Sequence, residues 1–253
     1  SLSPSPTTPP TPTPKPVPAT IGFTLHVPIL VYHLVAPAGE TGNALSGLVV
    51  SPEQFSAQMD VLAAGGWHTI TAAELGADLA AKRTPPRKTF VVTLDDGYDN
   101  GYTYALPILR AHGFRATYYV VTGRVGSTSP AGPVLSVSHL QELLAAGMEI
   151  GNHTVNHVNL EGLSNADLVA EIDGASTMIA ADVGQPPTTF AYPFGLSDQA
   201  AVTQVARGGF SLAVTTAYGC TESYGYRYQA PRFHVGPGTT PAYLLSLIAP
   251  CDG

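Results

Sequence analysis

The chain has 253 residues, of which 44% are hydrophobic and only 11% charged, with a formal net charge of −7; that is enough apolar content for one large domain. No apolar run approaches the roughly 18 residues of a membrane-spanning helix, and no Lys/Arg cluster marks a nucleic-acid surface. Two cysteines, Cys220 and Cys251, are too few for a cysteine-rich metal site; in an exported protein they could bridge and tie down the C-terminus, worth roughly 3–4 kcal/mol on loop-entropy reasoning, whereas in the cytosol they would stay reduced.

Residues 1–20 contain eight prolines and eight Ser or Thr. With almost nothing to bury, this segment reads as an extended, semi-rigid linker. Such linkers commonly join an exported domain to a signal peptide, a lipid anchor or a second module, so a secreted or cell-surface, wall-associated protein is expected, its leader cleaved or left out. Residues 21–253 read as one domain in which strand and helix patterns alternate. Strand candidates fall at 28–33, 67–70, 89–95, 115–122, 148–153, 188–193, 211–215 and 231–235. Several are continuous apolar runs, as in parallel strands covered by helices. Ser51-Pro52-Glu53-Gln54 and Thr71-Ala72-Ala73-Glu74 read as capping boxes, the first with proline at the first helical position. Ser164 opens a third helix and Ser197 a fourth, while Gly65-Gly66 and Gly208-Gly209 close two of them. About eight strands with intervening helices point to an α/β barrel with its site at the C-terminal ends of the strands.

Two strands end on polar residues of a telling kind. One is Phe90-Val91-Val92-Thr93-Leu94-Asp95-Asp96-Gly97-Tyr98; the other is Met148-Glu149-Ile150-Gly151-Asn152-His153-Thr154-Val155-Asn156-His157. Asp-Asp-Gly alone is usually a turn, and His-x-x-x-His alone is often two solvated histidines. Together, each closing a strand, they supply a carboxylate and two imidazoles, a common ligand set for catalytic zinc. A second carboxylate beside that set is a natural general base. The constellation reads as a metallohydrolase with Zn2+, for which Co2+ or Ni2+ could substitute. His33 and Tyr192-Pro193-Phe194 end two further strands and should reach the same mouth.

Thr93-Leu94-Asp95-Asp96-Gly97-Tyr98, His153-Thr154-Val155-Asn156-His157 and Tyr192-Pro193-Phe194-Gly195 resemble, in order and spacing, the first three motifs of the polysaccharide deacetylases, carbohydrate esterase family 4. The resemblance spans about residues 27 to 249 and is specific to the superfamily rather than to one substrate. It implies a distorted (β/α) barrel with about seven parallel strands. It also implies that Asp96, His153 and His157 bind the metal, that Asp95 is the base, and that the Phe194 backbone N–H holds the oxyanion. Adjacent strand residues face opposite sides, so the two aspartates should not share a role. Tyr192 and Pro193 belong to the same substrate-facing motif.

The chain departs from the common pattern twice. Many members carry Arg two residues before the motif proline, where this sequence has Ala191. Many also carry a late Leu-His that supplies the acid, where this sequence reads Pro231-Arg232-Phe233-His234-Val235. A branch that includes poly-N-acetylglucosamine deacetylases instead has an early Tyr-His, as Tyr32-His33 does here. His33 is therefore the preferred acid and His234 the alternative, with Arg232 in place of the charge missing at Ala191. His26, His68, His112 and His139 read as solvated or capping. Tyr98, Tyr102, Tyr118 and Tyr119 are open between sugar stacking and core packing. The implied activity is metal-dependent N-deacetylation of an N-acetylglucosamine-containing polysaccharide by a monomer. O-deacetylation, as on acetylated xylan, and a catalytically silent glycan-binding module are the alternatives.

Overall fold

Seven parallel strands carry the molecule: β1 (Ile29–Tyr32), β2 (Thr89–Leu94), β3 (Thr117–Val120), β4 (Glu149–Asn152), β5 (Thr189–Ala191), β6 (Leu212–Val214) and β7 (Phe233–His234). The computed structural model describes residues 22–41 and 45–251, so the linker expected over residues 1–20 lies outside the described residues. The strands pair in the order β6-β5-β4-β3-β2-β1-β7. A parallel bridge between Val214 and Ala230 brings the segment before β7 alongside β6, and the Ala230 N–H donates to the Ala213 carbonyl at 2.9 Å. The sheet thus curls almost into a ring, the distorted barrel expected from the sequence. Strands β1, β2 and β3 are buried at every position, as their unbroken apolar runs require.

The eighth strand candidate, 67–70, does not become a stave. Only His68–Thr69 is extended, beside Thr89–Phe90, because Thr71 already caps the next helix.

Helices α1 (Pro52–Ala64), α2 (Ala72–Ala81), α3 (Leu106–Ala111), α4 (Val137–Ala145), α5 (Asn165–Val183), α6 (Gln199–Arg207) and α7 (Pro241–Ile248) surround the strands. The Ser51, Thr71 and Ser164 caps are made, and Thr71 and Glu74 bond reciprocally, but Ser51 forms no capping box, because the Gln54 side chain donates instead to the Thr239 carbonyl at 2.9 Å. At α6 the cap is Asp198, not Ser197. Its carboxylate takes the Ala201 N–H at 2.9 Å and also the Gly162 N–H, and a negative charge suits a helix N-terminus better than a hydroxyl. Ser197 is left to accept from Gln229. Helices α4 and α7 start at Ser136 and Thr240 without a capping box, which is why the sequence pattern left them unread.

The N-terminal side of the barrel is closed by Thr24–His26 paired antiparallel with Thr221–Ser223, and the Cys220–Cys251 disulfide fastens that strand to the C-terminal turn. Beneath it Glu222 is buried. One of its oxygens accepts the Val27 N–H at 3.0 Å, and the other has no partner. Burial pushes this carboxyl up to about 8, with the Val27 N–H pulling weakly the other way. The folded chain therefore holds a proton that the unfolded chain releases above its ordinary value of 4.5, and stability should fall as pH rises from there to about 8. Glu222→Gln should remove that slope. Its thermal midpoint should exceed wild type at pH 8 and converge with it near pH 5; equal midpoints at both would show Glu222 to be ionised in the folded protein.

Candidate active site

Asp95, His153, Tyr192 and His33 each follow directly on a strand. The ladder runs one residue past the regular sheet, with the Asp95 N–H on the Tyr32 carbonyl at 2.9 Å, His153 on Val120 at 3.1 Å and Tyr192 on Val214 at 3.1 Å. The backbone then breaks. Asp96, Thr154, His157 and Phe194 have φ of 73°, 68°, 58° and 60°, and they make up four of the six non-glycine residues with positive φ among the described residues. Such conformations cost roughly 1–3 kcal/mol each and persist only where the surroundings over-determine them. Here the Thr154 N–H is held by Asn152 Oδ1 at 2.8 Å and the His157 N–H by Thr154 Oγ1 at 2.9 Å. The loop is fastened to α5 through Glu171, which accepts from the Val155 and Asn156 N–H groups. The result is that Asp96 and His157 turn inward at the mouth.

Asp96 Oδ1 lies 3.1 Å from His157 Nε2 and 3.4 Å from His153 Nε2. Ligand atoms of the three residues all fall within 4.8 Å of one another. His153 Nδ1 is 2.7 Å from the Ala191 carbonyl, which can only accept, so Nδ1 carries the hydrogen and Nε2 turns its lone pair toward Asp96. Asp96 Oδ1 is buried without a hydrogen-bond partner. Converging lone pairs around an orphaned carboxylate oxygen are the donor set that a divalent cation satisfies, so these residues fit a metal ion. Proximity of these groups also shifts their titration. Burial opposes charge on Asp96, yet His153 and His157 hold its carboxyl well below the usual range. Burial likewise opposes charge on His153, but Asp96 and Asp95 outweigh it and raise the imidazole.

Asp95 lies in the opposite kind of surroundings. Arg232 grips it with two parallel bonds, Nη1 to Oδ1 at 2.8 Å and Nη2 to Oδ2 at 2.7 Å. The guanidinium is itself fixed by the Thr215 carbonyl at 2.8 Å and Thr93 Oγ1 at 3.0 Å, with the Tyr119 ring 5.9 Å away. Burial raises the Asp95 carboxyl, and Arg232 more than reverses this and holds it low. The charge absent at Ala191 thus arrives from the segment before β7.

The two acid candidates share one rim, with the His33 and His234 rings 5.5 Å apart. His33 is the more enclosed, and its buried Nδ1 has no partner; His234 is exposed. Burial lowers both imidazoles; Asp95 and Asp96 pull His33 back up while Arg232 and His234 push it down.

Phe194 stands exposed 4.7 Å from the His157 ring. The turn beneath it needs Gly195, with φ 72°, because a Cβ there would lie 2.1 Å from Thr216 Oγ1 and 2.5 Å from Thr216 N. Pro193 is buried in that turn. The Tyr192 side chain corrects an expectation: it packs outward against Phe190, with rings 5.0 Å apart, because alternation along β5 sends it to the helical layer. Only its backbone belongs to the mouth. Tyr118 and Tyr119 are core residues, whereas Tyr102 stacks on His139 at 4.3 Å. Tyr98 has a place the sequence left open, largely buried next to Asp96; burial and then Asp96 push its hydroxyl up to about 12, with Arg124 opposing.

Fold and mouth together define a (β/α)-barrel hydrolase with a carboxylate–imidazole grouping that could hold a metal ion. The family model for polysaccharide deacetylases matches residues 82–213, and the chain belongs to that family. It is 29% identical to the Streptococcus pyogenes deacetylase PplD, whose structure in complex with acetate superposes with a TM-score of 0.79 over 88% of this chain and 97% of that one. Bacillus subtilis YxkH is 28% identical over 212 residues, 84% of this chain and 72% of its own. A poly-β-1,6-N-acetyl-D-glucosamine N-deacetylase of Staphylococcus aureus is 23% identical over 222 residues, 80% of this chain and 76% of its own. This is therefore a hydrolase acting on acetyl groups.

Arg232→Lys should keep a positive charge near Asp95 but lose the forked grip. The Asp95 pKa should then rise, moving the acidic limb of the kcat/KM–pH profile to higher pH; an unmoved limb would remove Arg232 from the control of Asp95.

Proposed function

We propose that this protein is a metal-dependent N-deacetylase of N-acetylglucosamine-containing polysaccharide. The observation that carries this reading is the division of two adjacent aspartates into opposite settings, Asp95 clamped by Arg232 and Asp96 facing two imidazoles. Likeness to the S. aureus poly-β-1,6-N-acetyl-D-glucosamine N-deacetylase and the early Tyr32-His33 pair support amide over ester as the natural substrate. The disulfide and the proline-rich start support an exported, cell-surface or wall-associated protein, acting as a monomer.

Asp96, His153 and His157 would hold the ion, zinc for preference, with cobalt or nickel as substitutes. Bound there, a divalent ion would polarise the acetyl carbonyl and acidify water. The residues of the chain supply the rest. Asp95, kept anionic by Arg232, accepts a proton from water as the water oxygen bonds to the acetyl carbon. The Phe194 N–H, on the turn pinned by Gly195, donates to the developing oxyanion. His33 then gives a proton to the amine nitrogen as the C–N bond breaks, leaving acetate and a free amine. His234, on the same rim, is the alternative donor.

His153→Ala and His157→Ala should lose metal by elemental analysis, while Asp95→Asn should retain it and slow turnover by roughly 10²–10⁴, the scale of a lost general base. Metal loss from Asp95→Asn with retention in Asp96→Asn would exchange the two roles. Acetate release from N-acetylglucosamine oligomers should exceed that from acetylated xylan; the reverse order would make the enzyme an O-deacetylase, and none from either a silent module.

An amine leaves poorly without a proton, whereas an activated ester does not need one. His33→Ala should therefore nearly abolish amide deacetylation yet leave metal content and activated acetate ester hydrolysis largely intact. His234→Ala should affect both substrates mildly. Near-normal amide turnover in the His33 variant would assign the acid to His234.

A further inference from the structure

A short turn, Tyr224–Tyr226, follows the strand that closes the N-terminal side of the barrel, and its rings belong neither to the core nor to the mouth. Tyr224 and Tyr226 are 41% and 45% exposed. The turn is nonetheless rigidly built. The Arg227 guanidinium lies 4.1 Å over the Tyr224 ring and 4.3 Å over that of Tyr228, and it donates to the Tyr224 carbonyl at 2.8 Å and the Tyr228 hydroxyl at 2.9 Å. The Arg227 carbonyl accepts the Ala213 N–H of β6 at 2.8 Å, so the stack is anchored to the barrel. Exposed aromatic rings, one of them fixed by a guanidinium stacked on one face, are a signature of binding surfaces.

This surface is joined to the mouth. The Gln229 N–H donates to the Tyr226 carbonyl at 2.8 Å, and its side chain donates to Ser197 Oγ at 3.1 Å. Ser197 follows Leu196, itself exposed, and Leu196 lies two residues beyond Phe194, the exposed ring against His157. The turn is therefore tied by hydrogen bonds to the segment that carries the exposed Leu196 and Phe194. Flat rings edged by phenol hydroxyls and a guanidinium match a pyranose ring, which offers a C–H face flanked by hydroxyl and amide acceptors. A few separate rings are too narrow a strip for a stable protein interface, which needs roughly 800 Å² per partner.

We propose that Tyr224, Tyr226 and Arg227 form a distal sugar-binding subsite, holding a pyranose unit of the same glycan chain whose acetylated unit lies at Phe194. This rests on the glycan reading above, and two measurements separate their fates. Retardation in native gels containing glycol chitin or poly-β-1,6-N-acetylglucosamine decides the subsite. Wild type and the Tyr226→Phe control should be slowed in at least one of these gels, and Tyr224→Ala and Tyr226→Ala markedly less. Equal migration of all four proteins overturns the subsite. Acetate release by wild type decides the reaction: a retarded but inactive wild type sinks the proposed activity and leaves the subsite standing. With activity present, the alanine variants should lose about 5- to 20-fold in kcat/KM on an N-acetylglucosamine hexamer, the scale of one lost aromatic contact. They should lose nothing on a dimer or an activated acetate ester. An unchanged hexamer-to-dimer ratio overturns the subsite as well.

Discussion

The buried pair of Asp95 and Arg232 is the constraint on which the mouth depends. Both side chains are removed from water, and removing one partner of such a pair typically costs roughly 3–5 kcal/mol because the other is left charged and buried. Closure of the barrel answers that cost, since Arg232 enters beside β7 while Asp95 ends β2, 137 positions apart in sequence. The contacts of Arg232 with the Thr215 carbonyl and Thr93 then tie β6, β2 and the β7 segment to one guanidinium. The grip that sets the Asp95 charge is the same one that closes the ring.

The mouth around this pair is strained and externally braced. The backbones of Thr154, His157 and Phe194 lie in the left-handed region beside side-chain bonds from Asn152, Thr154 and Glu171 and the tight approach of Gly195 to Thr216. Such bracing accompanies the approach of ligand-type atoms of Asp96, His153 and His157 to within 4.8 Å of one another. The opposite end of the barrel uses a different device. There the Thr24–His26 and Thr221–Ser223 pairing and the covalent link between Cys220 and Cys251 close the structure.

The fold places one chemical problem on each side of β2. Asp95 is held by the Arg232 guanidinium, and Asp96 Oδ1 faces the His153 and His157 imidazoles without a protein hydrogen bond. A sharp turn between them, with Asp96 at φ 73°, sends the two carboxylates to different partners although they are neighbours in sequence. Spatial division of like groups is a general means of giving two carboxylates distinct roles.

Much of this was legible in the chain itself. The buried strands announce themselves by unbroken apolar runs, the first two helices by N-caps at Ser51 and Thr71, and the site by polar residues placed where those runs stop. These signals are local, set by groups within a few residues of one another. The candidate stave at 67–70 reduces to two residues because the Thr71 cap competes for the same segment, and α6 takes Asp198 rather than Ser197 because a carboxylate wins at a helix dipole. Sequence reading could suggest Arg232 as a substitute for the charge missing at Ala191, but it could not supply the two-pronged contact. It also could not show that His33 and His234 meet across one rim, that the Tyr192 ring turns outward, or that Arg227 lies between the Tyr224 and Tyr228 rings. Those facts depend on barrel closure and strand register, which bring together residues far apart in the chain and which no local pattern encodes.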